Sequence, residues 1–500
     1  MNKILILLGL MLIFQSTTQS QVTGFCGSTA LDNLSIKNRM VKNREDASLL
    51  NIRTGAIKYV PVTYFLVAKS DGTGRAKYIN ILLNLCAINE IYKDQDISFY
   101  LKGGGTGMID VNNTLIYDDP SSTFGNAAIT QLQNKNKNAI NIFVASKANG
   151  TNLGVLAFYN PTNDNLVSDL KYVTGTSPTT LAHEIGHYFS LAHTFFGWEN
   201  DTYDCSIPTP TEHFLNGRKV LVEYVDRLKP LNNNLHCNEA ADGFCDTQAD
   251  YNFGFGWSGG CTWKSDCAKD PDENKPMDPD ELNIMSYFLN CLKTFSLEQK
   301  AAIARDYASS ARNYLKSPAH IPLPAVTEAP KNPRIESDGF NSVTFKWDAP
   351  ANATHYILEF ATVTLSNSMT YKNFILTRTD TTFTNLAKGI KYAWKVTAFN
   401  VTNPCPMSTG NLSFFSSSFG VATQDVNNLL ANVQVYDNHS NQYRIEIEAN
   451  EKDNVKFELF SIDGKLIHSE QLNLTTGKNQ FTRNLIQSGV YSFRIHNNKT

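Results

Sequence analysis

The sequence carries almost no net charge. Its 44 lysines and arginines against 47 aspartates and glutamates leave −3 at neutral pH. That is too little to favour nucleic acid or an anionic membrane surface. The chain also lacks any long apolar run beyond Phe14. No integral membrane segment is expected in the mature protein, because a spanning helix needs about 20 apolar residues. The one short apolar run, Ile4 to Phe14, follows Lys3 and precedes small and polar residues in MNKILILLGLMLIFQSTTQSQ. This is the layout of a secretory signal peptide over residues 1–20, with cleavage near Ser20. A membrane anchor is the alternative, and the run is too short for it.

Export permits disulfides. The nine cysteines leave at least one thiol unpaired within the chain. Cys205, Cys237, Cys245, Cys261, Cys267 and Cys291 crowd into one region, whereas Cys26, Cys86 and Cys405 stand apart. Spacing alone does not choose among the pairings of the six.

Residues 21–55 read as polar and irregular. IKYVPVTYFLV (57–67) reads as a strand, RAKYINILLNLCAINEIY (75–92) as a helix with Cys86 in the core, and residues 97–102, 140–146 and 153–160 as further strands. Alternating strands and helices predict an α/β domain. TGTSPTT (174–180) offers N-caps for the helix that follows. Residues 195–282 are rich in Asn and Cys. FSLEQKAAIARDYASSARNYLKS then opens with a capping box, Ser296 to Gln299, and predicts a helix to about residue 315. A Pro-rich linker (317–333) separates this half from one made of alternating strands, the pattern of β-sandwiches.

The chemistry concentrates in HEIGHYFSLAH, residues 183–193. On a helix His183 and His187 lie on one face, one turn apart, and both imidazoles can hold one zinc ion. Glu184, beside them, can take a proton from water. On a straight helix His193 would lie about 80° off that face and about 15 Å away. Three-histidine binding therefore predicts that the helix stops near Ser190 and the chain turns back. An ordinary amphipathic core helix would instead run on to 193.

HExxHxxGxxH with a distant methionine turn marks the metzincin clan of metallopeptidases, and the second element here is NIMSY, residues 283–287. Together with LAHEIGHYFSLAHTFFG and DGFCDTQAD these motifs make residues 24–315 resemble the pappalysin family of that clan. The resemblance implies peptide-bond hydrolysis by a zinc-activated water. His183, His187 and His193 would hold the metal, and Glu184 would be general base and acid. Met285 would form the floor beneath the metal. Tyr287 would hydrogen-bond the oxyanion.

The resemblance further implies structural calcium held by Asp242, Phe244 and Thr247, with Asp246 a candidate contributor. It implies the bridges Cys237–Cys267 and Cys261–Cys291; a Cys205–Cys245 pair is a further guess that the resemblance does not supply. It also implies that residues 21–55 are a pro-segment and that Cys26 keeps the zymogen latent as a thiolate on the zinc. The other reading of Cys26 is a disulfide to Cys86 or Cys405. Two departures stand out. Ser190 replaces the glycine of the motif, and a serine in a left-handed turn costs about 1 kcal/mol. No carboxylate follows the methionine turn before Cys291, although members that cleave before Arg or Lys carry one.

Trp347, Tyr356, Leu386 and Tyr392 make residues 322–425 resemble a fibronectin type III module. VY (435–436), IDGKLI (462–467) and SGVYSFRI (488–495) make residues 426–500 resemble the C-terminal sorting domain of type IX secretion. The expected architecture is thus a multidomain chain, with an α/β peptidase domain over 56–316 followed by two all-β domains. The expected function is a zinc endopeptidase acting on protein or peptide substrates, secreted or displayed by a Gram-negative cell through the type IX machinery. The alternative is a degenerate peptidase scaffold serving as a surface binding or adhesion protein. The intact histidines, Glu184 and Tyr287 argue against it.

Overall fold

The structure is a computed structural model. It describes residues 25–49, 55–102, 107–134, 138–151, 154–199, 201–272, 275–316, 322–337, 342–363, 369–384, 386–387, 390–409, 413–416, 430–437, 442–461, 465–484 and 491–496. The expected signal peptide lies outside the described residues, as do parts of the linker and of two sorting-domain motifs. The chain divides into two compact units, Met1–Ser417 and Ser418–Thr500.

The first unit opens with a helix, α1 (Ala30–Glu45), where the sequence reads as irregular. Thr29 and Asp32 form a reciprocal capping box at its start. Ile36 and Met40, one turn apart, are its fully packed apolar side chains, and Asn33, Lys37 and Asn43 are buried beside them. A helix that buries polar groups leaves little apolar periodicity to read.

A mixed sheet follows. β1 (Lys58–Ala68) is central, flanked by β2 (Ile97–Leu101), β3 (Met108–Asn112) and β4 (Ile140–Ala145), all parallel to it. β5 (Ala157–Asn160) closes one edge, antiparallel to β6 (Asn165–Asp169). Helices cover both faces, so β1 reads as one apolar run. Val60, Val62, Tyr64 and Leu66 pack towards α2 (Tyr78–Tyr92). Phe65 and Val67 pack towards α3 (Thr114–Asp118) and α4 (Thr123–Asn134), with Phe65 stacked on Phe143 at 4.3 Å.

Helix α5 (Thr179–Tyr188) carries the histidine motif and α6 (Leu297–Ala308) closes the domain. The expected capping box of α6 forms, but the α-helix stops at Ala308, and a 3-10 helix (Ser310–Leu315) completes the segment.

A β-sandwich follows within the same unit. Strands Lys331–Ser337, Ser342–Asp348 and Asp380–Thr384 make one sheet, and Met369–Leu376, His355–Val363 and Lys391–Phe399 lead the other. Trp347, Tyr356, Leu358 and Trp394 fill its core, and the Tyr392 hydroxyl donates to the Ala387 carbonyl at 3.3 Å. Cys86 does not remain a core thiol. It bonds Cys405 and ties α2 to this sandwich. The Leu101 N–H at the edge of the mixed sheet also donates to the Val401 carbonyl of the sandwich at 2.8 Å.

The second unit contains two three-stranded antiparallel sheets. Tyr443, Ile445, Ile447, Val455, Phe457, Leu459, Leu472 and Leu474 form its core. Among the described residues no helix is long and apolar enough to cross a membrane.

Candidate metal centre and active site

The α5 backbone leaves its helix after Tyr188, and Ser190 takes φ +70°. The Ser190 N–H bonds the His187 carbonyl and the Leu191 N–H bonds the Gly186 carbonyl, both at 3.0 Å, closing a tight reversal. This returns His193 to the helix face, with its Nε2 3.1 Å from Nε2 of His187. The serine hydroxyl is fully used. It accepts from Arg39 Nε at 2.9 Å and donates to the Asp306 carboxylate. Arg39 also reaches the carbonyls of His187 and Tyr188, capping the end of α5 from α1.

NIMSY is shaped by Asn283, whose side-chain oxygen accepts from the Met285 N–H at 2.9 Å and whose amide bonds Gln299 of α6 at 3.0 Å. The turn aims the Ile284 carbonyl at His183 and seats Met285, fully buried, under α5. Gly186 leaves room for it, because a Cβ there would collide with the Met285 sulfur.

The histidine tautomers follow from their partners. His183 Nδ1 meets the Ile284 carbonyl and His187 Nδ1 the Leu191 carbonyl, both at 2.7 Å. His193 Nδ1 faces Glu199 Oε1 at 3.3 Å. All three partners are acceptors, so each Nδ1 carries the proton and each Nε2 presents a lone pair. The Nε2 atoms of His187 and His193 therefore face each other with no proton between them, and His183 Nε2 is buried without a partner. Such a cluster fits a cation and little else. Burial pulls the His183 imidazole down to about 3 and the His187 imidazole well below its usual range. Cys26 completes the set. Its Sγ and one nitrogen of each histidine all lie within 4.8 Å of one another.

Cys26 is the free cysteine among the described residues, and Cys86 is paired with Cys405, so the disulfide reading of Cys26 is overturned. Its Sγ lies 3.2 Å from Ser28 Oγ and 3.6 Å from Glu184 Oε2. Its N–H donates to the Tyr287 hydroxyl at 3.2 Å. The segment is held along β5, with the Gly27 N–H on the Ala157 carbonyl at 2.9 Å and the Leu156 N–H on the Phe25 carbonyl at 2.8 Å. Burial pushes the Glu184 carboxyl up to about 8. Burial, aided by the Glu184 charge, also pushes the Cys26 thiol up.

The expected calcium ligands come together only in part. Asp242 Oδ1 accepts from the Phe244 N–H at 3.0 Å and from Thr247 Oγ1 at 3.2 Å. Asp246 points elsewhere and caps α6, accepting from Ser296 Oγ at 2.6 Å and Glu298 N–H at 2.8 Å. The Phe244 carbonyl receives Arg227 Nη2 at 2.7 Å. Lys37 donates to the Glu239 carbonyl at 2.8 Å and also to that of Ala241. Lys37 and Arg227 bring positive charge here, and Asp242 Oδ2 and Glu223 Oε2 remain buried without a partner.

Two expected bridges are also corrected. Cys237 pairs with Cys245 because Ala241 and Gly243, both at positive φ, fold the intervening loop back on itself. Cys205 pairs with Cys267 because Tyr203 and Thr209 hydrogen-bond the backbone of Lys269 and hold the two segments together. Cys261 bonds Cys291.

The comparisons with known proteins bear on this geometry. Residues 53–218 match metallo-peptidase family M12. The matched stretch includes all three histidines and Glu184. Residues 423–500 match the secretion system C-terminal sorting domain. Among solved structures, a promirolysin mutant from Tannerella forsythia is similar at 16% identity over 58% of this chain and 96% of that one, with a TM-score of 0.37. An FN3tt mutant aligns at 23% identity over 18% of this chain and 96% of that one, TM-score 0.15. The fn3 domain of human collagen alpha-1(XX) chain aligns at 14% identity over 20% and 93%, TM-score 0.17. A comparison with curated proteins finds no match.

Sequence reasoning missed three supports of the candidate site: Glu199, Asn283 and Arg39. Glu199 carried a faint signal, as the first acid after His193, six residues on in an aromatic stretch. Arg39 carried none, because it acts from a helix that the pattern did not reveal.

Proposed function

We propose that the chain is a secreted zinc endopeptidase of the pappalysin type, made as a zymogen and kept latent by Cys26. What carries the reading is the set of three Nε2 lone pairs converging with one thiol in a buried site. His183, His187 and His193 would hold the zinc. Bound there, zinc would acidify a water and polarise the scissile carbonyl. Glu184 stands beside the same point and would accept the proton and pass it to the leaving amine. Tyr287, whose hydroxyl here receives the Cys26 N–H, would be released to hydrogen-bond the oxyanion once the segment leaves.

Latency follows from occupancy. Cys26 sits beside Glu184 and the three histidines, and its neighbours, paired along β5, would fill the path of a substrate strand. A zinc ion favours the thiolate and offsets the burial that otherwise holds the thiol protonated. Residues 21–55 would be the segment removed on activation. The sorting domain supports export by the type IX system, to the medium or the cell surface.

The test uses Glu184→Ala. The variant, freed of its segment, should bind zinc as the parent does and lose casein or gelatin cleavage by roughly two to four orders of magnitude, the usual share of a general base. Undiminished cleavage would reject the mechanism.

A further inference from the structure

Two strands of the β-sandwich are buried on both faces. In a free sandwich, inner residues alternate with polar residues turned to water. Strand His355–Val363 instead buries every residue from Tyr356 to Ala361, and strand Lys391–Phe399 buries its last four. Tyr356, Leu358 and Phe360 fill the sandwich's own core. Ile357 and Phe399, on the opposite face, are fully buried in the core of the α/β domain, with Ile375 and Val401 packed against it. The apolar face that a recognition module would offer a partner is here covered from within the chain.

Helix α2 links this face to α5. On the sandwich side, Cys86 bonds Cys405, and Lys77, at the start of α2, sets its Nζ over the Tyr371 ring at 4.7 Å. On the other side, Asn84 Nδ2 donates to the Thr174 carbonyl in the loop before α5 at 2.8 Å. The Tyr92 hydroxyl, fully buried, donates to the Ala182 carbonyl at 2.8 Å, one residue before His183. The Tyr92 ring also packs on Phe295, beyond the methionine turn, at 5.1 Å.

We propose that the sandwich is a brace for the metal site. Through Cys86–Cys405 and its outer apolar face it fixes α2, and α2 fixes the start of α5, so the histidines hold their metal tightly only with the sandwich docked. The inference rests on the zinc reading and gives the sandwich a role in it. Undocking would turn Ile357, Phe399 and the apolar side chains that meet them to water and would leave the Leu101 N–H on an open sheet edge. The Tyr92 contact with Ala182 would loosen with α2.

The test uses the zinc-loaded full chain. One variant is Cys86→Ser with Cys405→Ser, and a second adds Ile357→Lys. A lysine there cannot be buried in the α/β core, yet it suits the outer face of a free sandwich. One readout is the rate at which zinc passes to a chromophoric chelator. The others are amide exchange of α2 and of strand Ser342–Asp348, which lies in the other sheet and reports whether the sandwich itself stays folded. The paired serines should speed both zinc transfer and α2 exchange. Adding Ile357→Lys should bring zinc transfer to roughly 5-fold or more above the parent, the low end of couplings between linked sites. Strand Ser342–Asp348 should stay protected. If it does not, the serine pair alone decides. Zinc transfer at the parent rate overturns the proposal, whether or not α2 loosens, because the sandwich would then be a tether and no brace. A parent that holds zinc while the variants match it removes the brace alone. A parent that takes up no zinc removes the metal reading and the brace with it.

Discussion

Replacing Ser190 by glycine separates two effects that pull in opposite directions. On backbone grounds glycine should stabilise. Ser190 sits at φ +70°, where an L side chain costs about 1 kcal/mol. On side-chain grounds glycine should destabilise. The hydroxyl donates to Asp306, a fully buried carboxylate, and accepts from the Arg39 guanidinium. Hydrogen bonds to charged groups contribute about 1.5–3 kcal/mol each. The loss is partly redundant, because Asp306 keeps Arg312 at 2.8 Å and Asn43 at 2.9 Å, and Arg39 keeps two carbonyls. The net expectation for Ser190→Gly is a loss of roughly 2 kcal/mol in the latent chain. Ser190→Ala removes the same bonds and keeps the strain, so it should lose about 1 kcal/mol more than glycine. The assay is calorimetry of the peptidase transition, where 1 kcal/mol moves the midpoint by about 2–4 °C. A Ser190→Gly chain more stable than the parent would refute the reasoning, because it would show the hydroxyl's bonds to be worth less than the strain.

Further expectations concern charge and covalent structure. Burial raises Asp250 from 3.8 to about 6. The folded state therefore holds this proton between those values while the unfolded state has lost it. Stability falls as pH rises through that window, and the cost, about 3 kcal/mol from roughly two units, is complete above pH 6. Asp250→Asn can still serve the Thr194 hydroxyl and the Phe253 N–H. It should raise the melting temperature at pH 7 and match the parent near pH 4, and an equal difference at both pH values would contradict the assignment. The Cys86–Cys405 bond makes a second prediction. A chain cut between residues 316 and 322 should run as one species on a non-reducing gel and as two when reduced. The Cys405→Ser chain should fall in two without reductant. Separation of the parent under non-reducing conditions would rule the bond out.

The sequence makes the metal site legible because its logic is local. Helical periodicity pairs His183 with His187, and the reach of His193 demands the reversal at Ser190. Strands such as β1 are equally legible, as continuous apolar runs. What escaped reading depends on contacts distant in sequence. Helix α1 is stabilised by a capping box and by Lys37, Arg39 and Arg44 reaching carbonyls of the peptidase domain, not by an apolar stripe. The cysteine pairings depend on positive φ at Ala241 and Gly243 and on the hydrogen bonds of Tyr203, none of which spacing encodes. The expected calcium motif does not reveal which distant side chains share its oxygens. Only the fold shows Arg227 at the Phe244 carbonyl.

The central claim is that three histidines and Cys26 hold one zinc ion in the latent chain. X-ray absorption of the zinc-loaded full-length protein tests it directly. The expected result is one zinc per chain with three nitrogens at about 2.0–2.1 Å and one sulfur at about 2.3 Å, the sulfur vanishing in the Cys26→Ala chain. Three nitrogens with an oxygen and no sulfur would contradict the latency, and a chain that binds no zinc would contradict the account as a whole.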